Sequence, residues 1–144
     1  TWRARVVHII RNNALFIVFM LSVASIVGTL AIEYVGLLLP CELCWWQRIF
    51  MYPIALISGV AFVKNVSFSD IADYILVLAI PGALVALYQH LLQILPTGSL
   101  IPCGASGECA VRTVFELGYI TIPWMAVSVF VALVFIALVA RKKV

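Results

Sequence analysis

Four cysteines are the residues of this chain best suited to chemistry, and they occur as two close pairs. Cys41 and Cys44 form a C-x-x-C motif, whereas Cys103 and Cys109 enclose five residues, two of them glycine. Four cysteines allow three pairings. The spacing favours Cys41–Cys44 and Cys103–Cys109, and a bond between the two pairs stays open. Such pairs can exchange disulfides through mixed disulfides.

The C-x-x-C motif lies at the predicted start of a helix. The free amide groups and the positive dipole end at that position stabilise a thiolate, which is the attacking form of cysteine. Arg48 follows Cys44 by four residues, one turn along the same face. The alternative is that Arg48 snorkels to lipid headgroups. We interpret Arg48 as functional because it lies directly after the C-x-x-C motif.

The second cysteine pair has a different character. A ring this small gains only about 2 kcal/mol from loop closure, so a Cys103–Cys109 bond would be a weak staple in an accessible loop. The alternative is a structural bond that ties down the loop. The wide second spacing disfavours zinc. Haem would lack a second axial ligand, since His90 is the only histidine in a predicted helix. We therefore expect no metal.

Composition indicates the elements that must position these residues. The 144 residues are 65% hydrophobic and 10% charged, whereas a soluble domain carries about 25% charged residues. Apolar stretches near the 20 residues that a membrane-spanning helix needs predict helices at approximately 14–32, 43–63, 72–95 and 117–140. The prediction is an all-α integral membrane four-helix bundle, one domain over 1–144. A net charge of +3 gives no case for nucleic-acid binding.

The basic residues predict the orientation of this bundle. Seven of the nine Lys and Arg residues fall on one side if the helices alternate: Arg3, Arg5, Arg11, Lys64, Arg141, Lys142 and Lys143. The positive-inside rule then places both termini in the cytoplasm. The segments 33–44 and 96–116 become outward-facing loops that carry all four cysteines, in a compartment where disulfides persist.

Polar residues in the outer half of the third helix extend the candidate site. Gln89 and Gln93 are one turn apart, and His90 is three residues before Gln93. If His90 faces Arg48 and Cys44, these three side chains line a polar notch beneath the C-x-x-C motif. The alternative is that His90 only makes a hydrogen bond between helices.

The electron acceptor of a disulfide relay must come from outside the chain. The sequence holds no Gly-rich dinucleotide motif and no haem signature. The membrane itself offers a lipid-soluble quinone as the electron acceptor. Arg48 would stabilise the charge that develops on its oxygen beside Cys44.

Two stretches resemble one known family. Pro40–Arg48, with the sequence PCELCWWQR, and the following Met51-Tyr52-Pro53 resemble the central motif of the DsbB/BdbC family of membrane thiol–disulfide oxidoreductases. Residues 118–124 are similar to the segment that opens the family's fourth helix. The resemblance covers essentially the whole chain. It is specific, because C-x-x-C with arginine four residues later is rare at a membrane helix start.

The resemblance implies a role for each cysteine. Cys44 would lie next to the quinone, and Cys41 would exchange with the loop pair. Cys103 would be attacked by the partner, a thioredoxin-fold thiol oxidase of the DsbA/BdbD type, and Cys109 would resolve the mixed disulfide. Electrons would pass from partner to loop pair, to C-x-x-C pair, to quinone, as part of oxidative protein folding.

The resemblance also implies the surroundings of these cysteines. Arg48 would bind and polarise the quinone, with His90 nearby, in a bacterial cell membrane. The close spacing of the second pair looks like the Gram-positive branch, which implies menaquinone rather than ubiquinone. It leaves open which loop cysteine is attacked first.

Two other functions remain as alternatives. One is a non-catalytic membrane protein with structural loop disulfides. The other is a quinone reductase similar to vitamin K epoxide reductase.

Overall fold

Four long helices make up the described part of the protein. The computed structural model describes residues 1–36, 42–94 and 122–141, with helices α1 (Trp2–Gly36), α2 (Glu42–Val63), α3 (Phe68–Ile94) and α4 (Ile122–Arg141). All four are long and apolar enough to cross a membrane. The prediction of an all-α, four-helix membrane bundle is confirmed.

The helices form a ring in chain order. α1 packs against α2 and α4, and α3 packs against α2 and, most extensively, α4. Side-chain contacts join the end of α1 to the start of α2 and the start of α2 to the end of α3. Another joins the start of α3 to the end of α4. Successive helices therefore run antiparallel, and the start of α2 shares one end of the bundle with the ends of α1 and α3.

α1 is longer at both ends than the apolar run 14–32 predicts. It spans 35 residues, or about 52 Å at 1.5 Å per residue, and so exceeds the roughly 30 Å of the hydrocarbon core. Its first turns carry the exposed Arg3 and Arg5. Arginine ends an apolar run but is a good helix former, and no Gly or Pro interrupts residues 2–27. At the other end, Glu33 lies inside the helix and not in a loop.

The turn between α2 and α3 has a well-defined helix-capping geometry. The amide of Val66 donates to the carbonyl of Ala61 over 2.9 Å, and Asn65 donates to Phe62 over 3.3 Å. Asn65 has a φ of 54°. These bonds form a Schellman motif, in which asparagine tolerates the left-handed conformation.

α3 begins at Phe68, four residues before the predicted boundary. Ser67 occupies the position before the helix, and Asp70 lies in the first turn. Serine is a favoured N-cap, and an acidic side chain complements the dipole. Polar capping residues therefore start this helix ahead of its apolar run. α2 and α4 differ little from prediction where they are described, and residues 117–121 lie outside the described ranges.

Small residues let the helices approach closely in the core. Fully buried alanines occur on α1, α3 and α4. At Gly82 of α3, the backbone lies directly against the ring of Phe130 on α4, which is 1% exposed. By contrast, large apolar side chains cover the outside, among them Leu56, Val77 and Leu84. Such a surface suits lipid, because soluble proteins rarely expose large apolar patches.

Candidate active site

Buried polar side chains gather at one end of the bundle. Among the described residues, Ser22 and Ser58 are buried but satisfy their hydroxyl groups on the backbone of their own helices. The other buried polar side chains lie near the start of α2 or the end of α3: Arg48, Gln89, His90 and Gln93. Polar groups at membrane depth are costly and by default indicate function. This end is the candidate site.

Cys44 lies within this cluster, in the first turn of α2. The side chain is partly buried. Its neighbour Leu43 is 5% exposed and packs with Val85, Tyr88 and Leu92 of α3. This apolar contact fixes the start of α2 against the end of α3. Cys44 is thereby placed both at a helix N-terminus and beside the polar residues of α3.

A chain of two side-chain amides ends at the sulfur of Cys44. Nε2 of Gln47 donates to Oε1 of Gln89 over 2.6 Å, and Nε2 of Gln89 donates to Sγ of Cys44 over 3.4 Å. Oε1 of Gln89 also lies 3.8 Å from the sulfur, where it can accept from the Cys44 thiol. The N–H of Gln89 is the contact that would stay favourable once the thiol ionises. Hydrogen bonds to an ionised acceptor are stronger than neutral ones. The site therefore holds a donor where a thiolate would form.

Arg48 lies inside the bundle, only 8% exposed. Its Nη1 lies 2.7 Å from Oε2 of Glu33 on α1, and its Nη2 donates to the carbonyl of Thr29 over 3.5 Å. The guanidinium carbon is 5.3 Å from the ring centroid of Trp45. The guanidinium is thus held inside the bundle by two groups of α1.

His90 lies on the α4 side of the same cluster and is 7% exposed. Its ring centroid is 4.8 Å from that of Trp124, with the planes tilted by 36°. Trp124 itself is 38% exposed. An indole that is half in contact with a buried histidine and half accessible suits a position near the membrane boundary.

The contacts of Cys44, Arg48 and His90 go to three different helices, so the polar notch that they were predicted to line stays a prediction. All three lie at the same end of the bundle. The contacts just described join Arg48 to α1, Cys44 to α3 through Gln89, and His90 to α4. Cys44 therefore meets α3 at Gln89, the residue before His90.

Three of the four cysteines that were predicted to be catalytic lie outside the described residues. These are Cys41, Cys103 and Cys109. Their pairing and their roles stay predictions, as does the role of each remaining site residue. Within residues 1–36, 42–94 and 122–141, no three His, Cys, Asp or Glu side chains lie close enough together to hold a metal ion.

Sequence reasoning missed two residues that contact the predicted ones. Glu33 was placed in a loop because it follows the first apolar run, yet it is the partner of Arg48. Gln47 was not singled out, yet it orients Gln89. A signal existed for Glu33: an acidic residue at the end of one span and an arginine near the start of the next fall at the same depth in antiparallel helices.

Comparisons with known proteins agree on one family. The family model described as disulfide bond formation protein DsbB matches residues 11–140. "Disulfide bond formation protein C" of Bacillus subtilis (strain 168) is 33% identical over 137 residues, covering 92% of this chain and 98% of that protein. A "probable disulfide formation protein" of Chlamydia pneumoniae is 32% identical over 136 residues, covering 94% and 97%. No solved structure matches significantly.

The family match spans nearly the whole chain, and the relatives have nearly the same length. The described part also carries the Cys44–Arg48 stretch at the start of a membrane-length helix. This chain therefore belongs to the DsbB family, the disulfide bond formation proteins, which are membrane thiol–disulfide oxidoreductases.

Proposed function

We propose that this disulfide-forming membrane oxidoreductase reoxidises an extracytoplasmic thioredoxin-fold dithiol oxidase and delivers the electrons to membrane quinone. The observation that carries the proposal is the surroundings of Cys44. It lies at a helix start, accepts an N–H from Gln89 and is one turn from the buried Arg48. A structural disulfide needs none of these features.

The first half of the reaction is two disulfide exchanges. The partner's thiolate attacks Cys103 of the Cys103–Cys109 disulfide and releases Cys109 as a thiolate, and the partner's second thiol then breaks the mixed disulfide. Cys109 is thus the leaving thiolate and not the resolving one, because its attack on the mixed disulfide would only return the partner reduced. The partner leaves oxidised and the loop pair is left as a dithiol. That dithiol attacks the Cys41–Cys44 disulfide, reforms its own bond and leaves Cys41 and Cys44 reduced. Each exchange breaks one S–S bond and forms one, so electrons balance.

The donor set at Cys44 fits a quinone head group. A guanidinium carries five N–H donors, and Arg48 directs one to Glu33 and one to Thr29. Among the described residues, these two groups are the hydrogen-bond acceptors of Arg48. Further N–H groups of Arg48 are therefore available to a carbonyl oxygen of the quinone. Trp45 and Trp46, each 49% exposed, supply aromatic surface near the boundary. A bound quinone would supply a two-electron acceptor, and the resemblance of the short second pair to the Gram-positive branch implies menaquinone rather than ubiquinone.

In this proposal each polar residue of the site has its own task. Arg48 binds and orients the acceptor's oxygen. Cys44 lies one turn before Arg48 on α2, and the Gln89 N–H stabilises negative charge on its sulfur. His90 lies at the same end and is a candidate to hold or move a proton.

The arrangement of charges supports an extracytoplasmic location for Cys44. Arg141 pairs with Asp73 at the end of the bundle opposite Cys44. Lys64 also lies at that opposite end, in the turn that follows α2. By the positive-inside rule that end faces the cytoplasm. The Cys44 end would then face outward from a bacterial plasma membrane, where the partner resides.

An anaerobic assay with purified protein tests the proposal. A reduced partner of the DsbA type is mixed with the protein and menadione, and partner thiols and quinone absorbance are followed together. Cys44→Ser should abolish both changes, and Arg48→Ala should raise the KM for menadione. Ser25→Ala, which removes a hydroxyl that donates to the carbonyl of Leu21 within α1, is the matched control and should leave both unchanged.

The outcomes separate the alternatives. Partner oxidation that continues in Cys44→Ser would refute the relay. A protein inert to both partner and quinone would be the non-catalytic alternative with structural disulfides. Net flow from protein dithiols to quinone with no role for the partner would favour the reductase resembling vitamin K epoxide reductase.

A further inference from the structure

The ion pair between Glu33 and Arg48 is unusual for its place. It joins α1 to α2 at the polar end of the bundle, with an Nη1–Oε2 distance of 2.7 Å and side-chain exposures of 9% for Arg48 and 22% for Glu33. The other ion pair among the described residues, Asp73–Arg141, is 65% and 55% exposed. In the first pair Arg48 is therefore buried and Glu33 is mostly buried, whereas both members of the second pair are exposed.

Packing alone does not account for a desolvated ion pair. Removing two charges from water costs free energy, and well-packed apolar side chains often stabilise a protein as well or better. Arginine near a helix end also has an easy alternative, because its long side chain can reach the headgroups. The Arg48 guanidinium is instead drawn inward by Glu33 Oε2 and by the carbonyl of Thr29.

We propose that Glu33 is a positioning residue for the quinone site, which holds the Arg48 guanidinium inside the bundle, one turn along α2 from Cys44. This inference rests on the proposed function, in which Arg48 binds the quinone oxygen. Glu33 does not itself touch the acceptor. Its carboxylate holds Nη1 of the guanidinium in place, so that the donors not used by α1 are kept in the site for the acceptor.

Glu33 has two opposing effects on such a site, and the geometry decides between them. The carboxylate neutralises Arg48, which by itself would weaken attraction to a negatively charged oxygen. Without the carboxylate, however, a buried guanidinium loses its counter-charge and moves to the boundary. Arg48 is only 8% exposed and therefore depends on its counter-charge to stay buried. We expect the displacement of the guanidinium to weaken binding more than the removal of the neutralising carboxylate strengthens it. Removing Glu33 should therefore weaken quinone binding.

The test uses full-length protein in detergent and two measurements. The first is the equilibrium Kd for menadione, from quenching of tryptophan fluorescence. The second, made without quinone, is the rate at which phenylglyoxal modifies Arg48, read by mass spectrometry. The variants are Glu33→Ala, Glu33→Gln, which keeps the size of the side chain, and Glu33→Asp. Asp73→Asn, which breaks the other interhelical ion pair, is the matched control.

The expected result is a graded loss. Charge-assisted hydrogen bonds contribute enough that losing one weakens binding about tenfold or more. Glu33→Ala and Glu33→Gln should raise the Kd by about that factor and speed Arg48 modification several-fold, on the scale of a desolvated ion pair. Glu33→Asp should recover part of both, and Asp73→Asn should change neither. In an Arg48→Ala background, Glu33→Ala should have no further effect on the Kd, because it acts through the guanidinium.

Other outcomes have definite meanings. If Arg48→Ala weakens menadione binding but the Glu33 variants do not, or if they tighten it, the positioning role is wrong and the proposed function stands. If Arg48→Ala itself leaves the Kd unchanged, the quinone role of Arg48 in the proposed function is wrong. If Glu33→Gln changes the Kd equally in the presence and absence of Arg48, Glu33 acts on the fold and not through Arg48.

Discussion

The contact between Gly82 and Phe130 should determine how closely α3 and α4 pack. A Cβ atom added at Gly82 would lie 2.6 Å from Cζ and 2.9 Å from Cδ1 of Phe130. Carbon atoms attract best at about 3.5–4.0 Å, so in Gly82→Ala the ring must withdraw by about 1 Å. Phe130 is 1% exposed, so the ring has no solvent to move into.

The net cost of Gly82→Ala follows from two opposing terms. Overpacking of this kind costs about 1–3 kcal/mol. Alanine in a helix interior recovers about 0.5–1 kcal/mol relative to glycine. We expect a loss of about 1–2 kcal/mol in the free energy of unfolding. Unfolding in mixed micelles with increasing SDS, followed by circular dichroism, measures it.

Two further variants make this prediction refutable. Gly28 of α1 has no atom within 4 Å of an added Cβ, so Gly28→Ala should be neutral or slightly stabilising. Phe130→Leu removes the ring and should lower the cost of Gly82→Ala in the double variant. If Gly82→Ala is as stable as Gly28→Ala, or if Phe130→Leu gives no relief, the close approach of α3 to α4 is wrong.

Two other substitutions test the site and the turn. Gln89→Leu removes the N–H donor to the sulfur of Cys44. It should slow reoxidation of the reduced protein by menadione by about threefold to tenfold, the range of one lost hydrogen bond. Stopped-flow absorbance measures this rate, and an unchanged rate would contradict the role of the amide. Asn65→Val places a β-branched side chain at a φ of 54° and should destabilise the protein by about 1–2 kcal/mol, whereas Asn65→Gly should not; equal stability of the two in SDS unfolding would refute the strained-turn argument.

Much of the fold could be predicted from the sequence, because membrane insertion depends on local composition. Long apolar runs identify helices whatever they pack against, so four spans and the location of Cys44 and Arg48 at one helix start were foreseeable. Helix boundaries were less so. The Trp2 start of α1 and the Ser67 cap of α3 depend on helix propensity and capping outside the apolar runs.

The contacts within the site depend on the tertiary structure. Residue spacing placed Gln89, His90 and Arg48 near the outer end, but not which neighbour each would contact. Those contacts depend on the rotation and register of each helix. Rotation and register are set by packing against the side chains of the other helices. The sequence by itself therefore determined the class of protein and the reactive motif. Only the packing of α1, α2 and α3 decided that Glu33 holds Arg48 and that Gln89 meets Cys44.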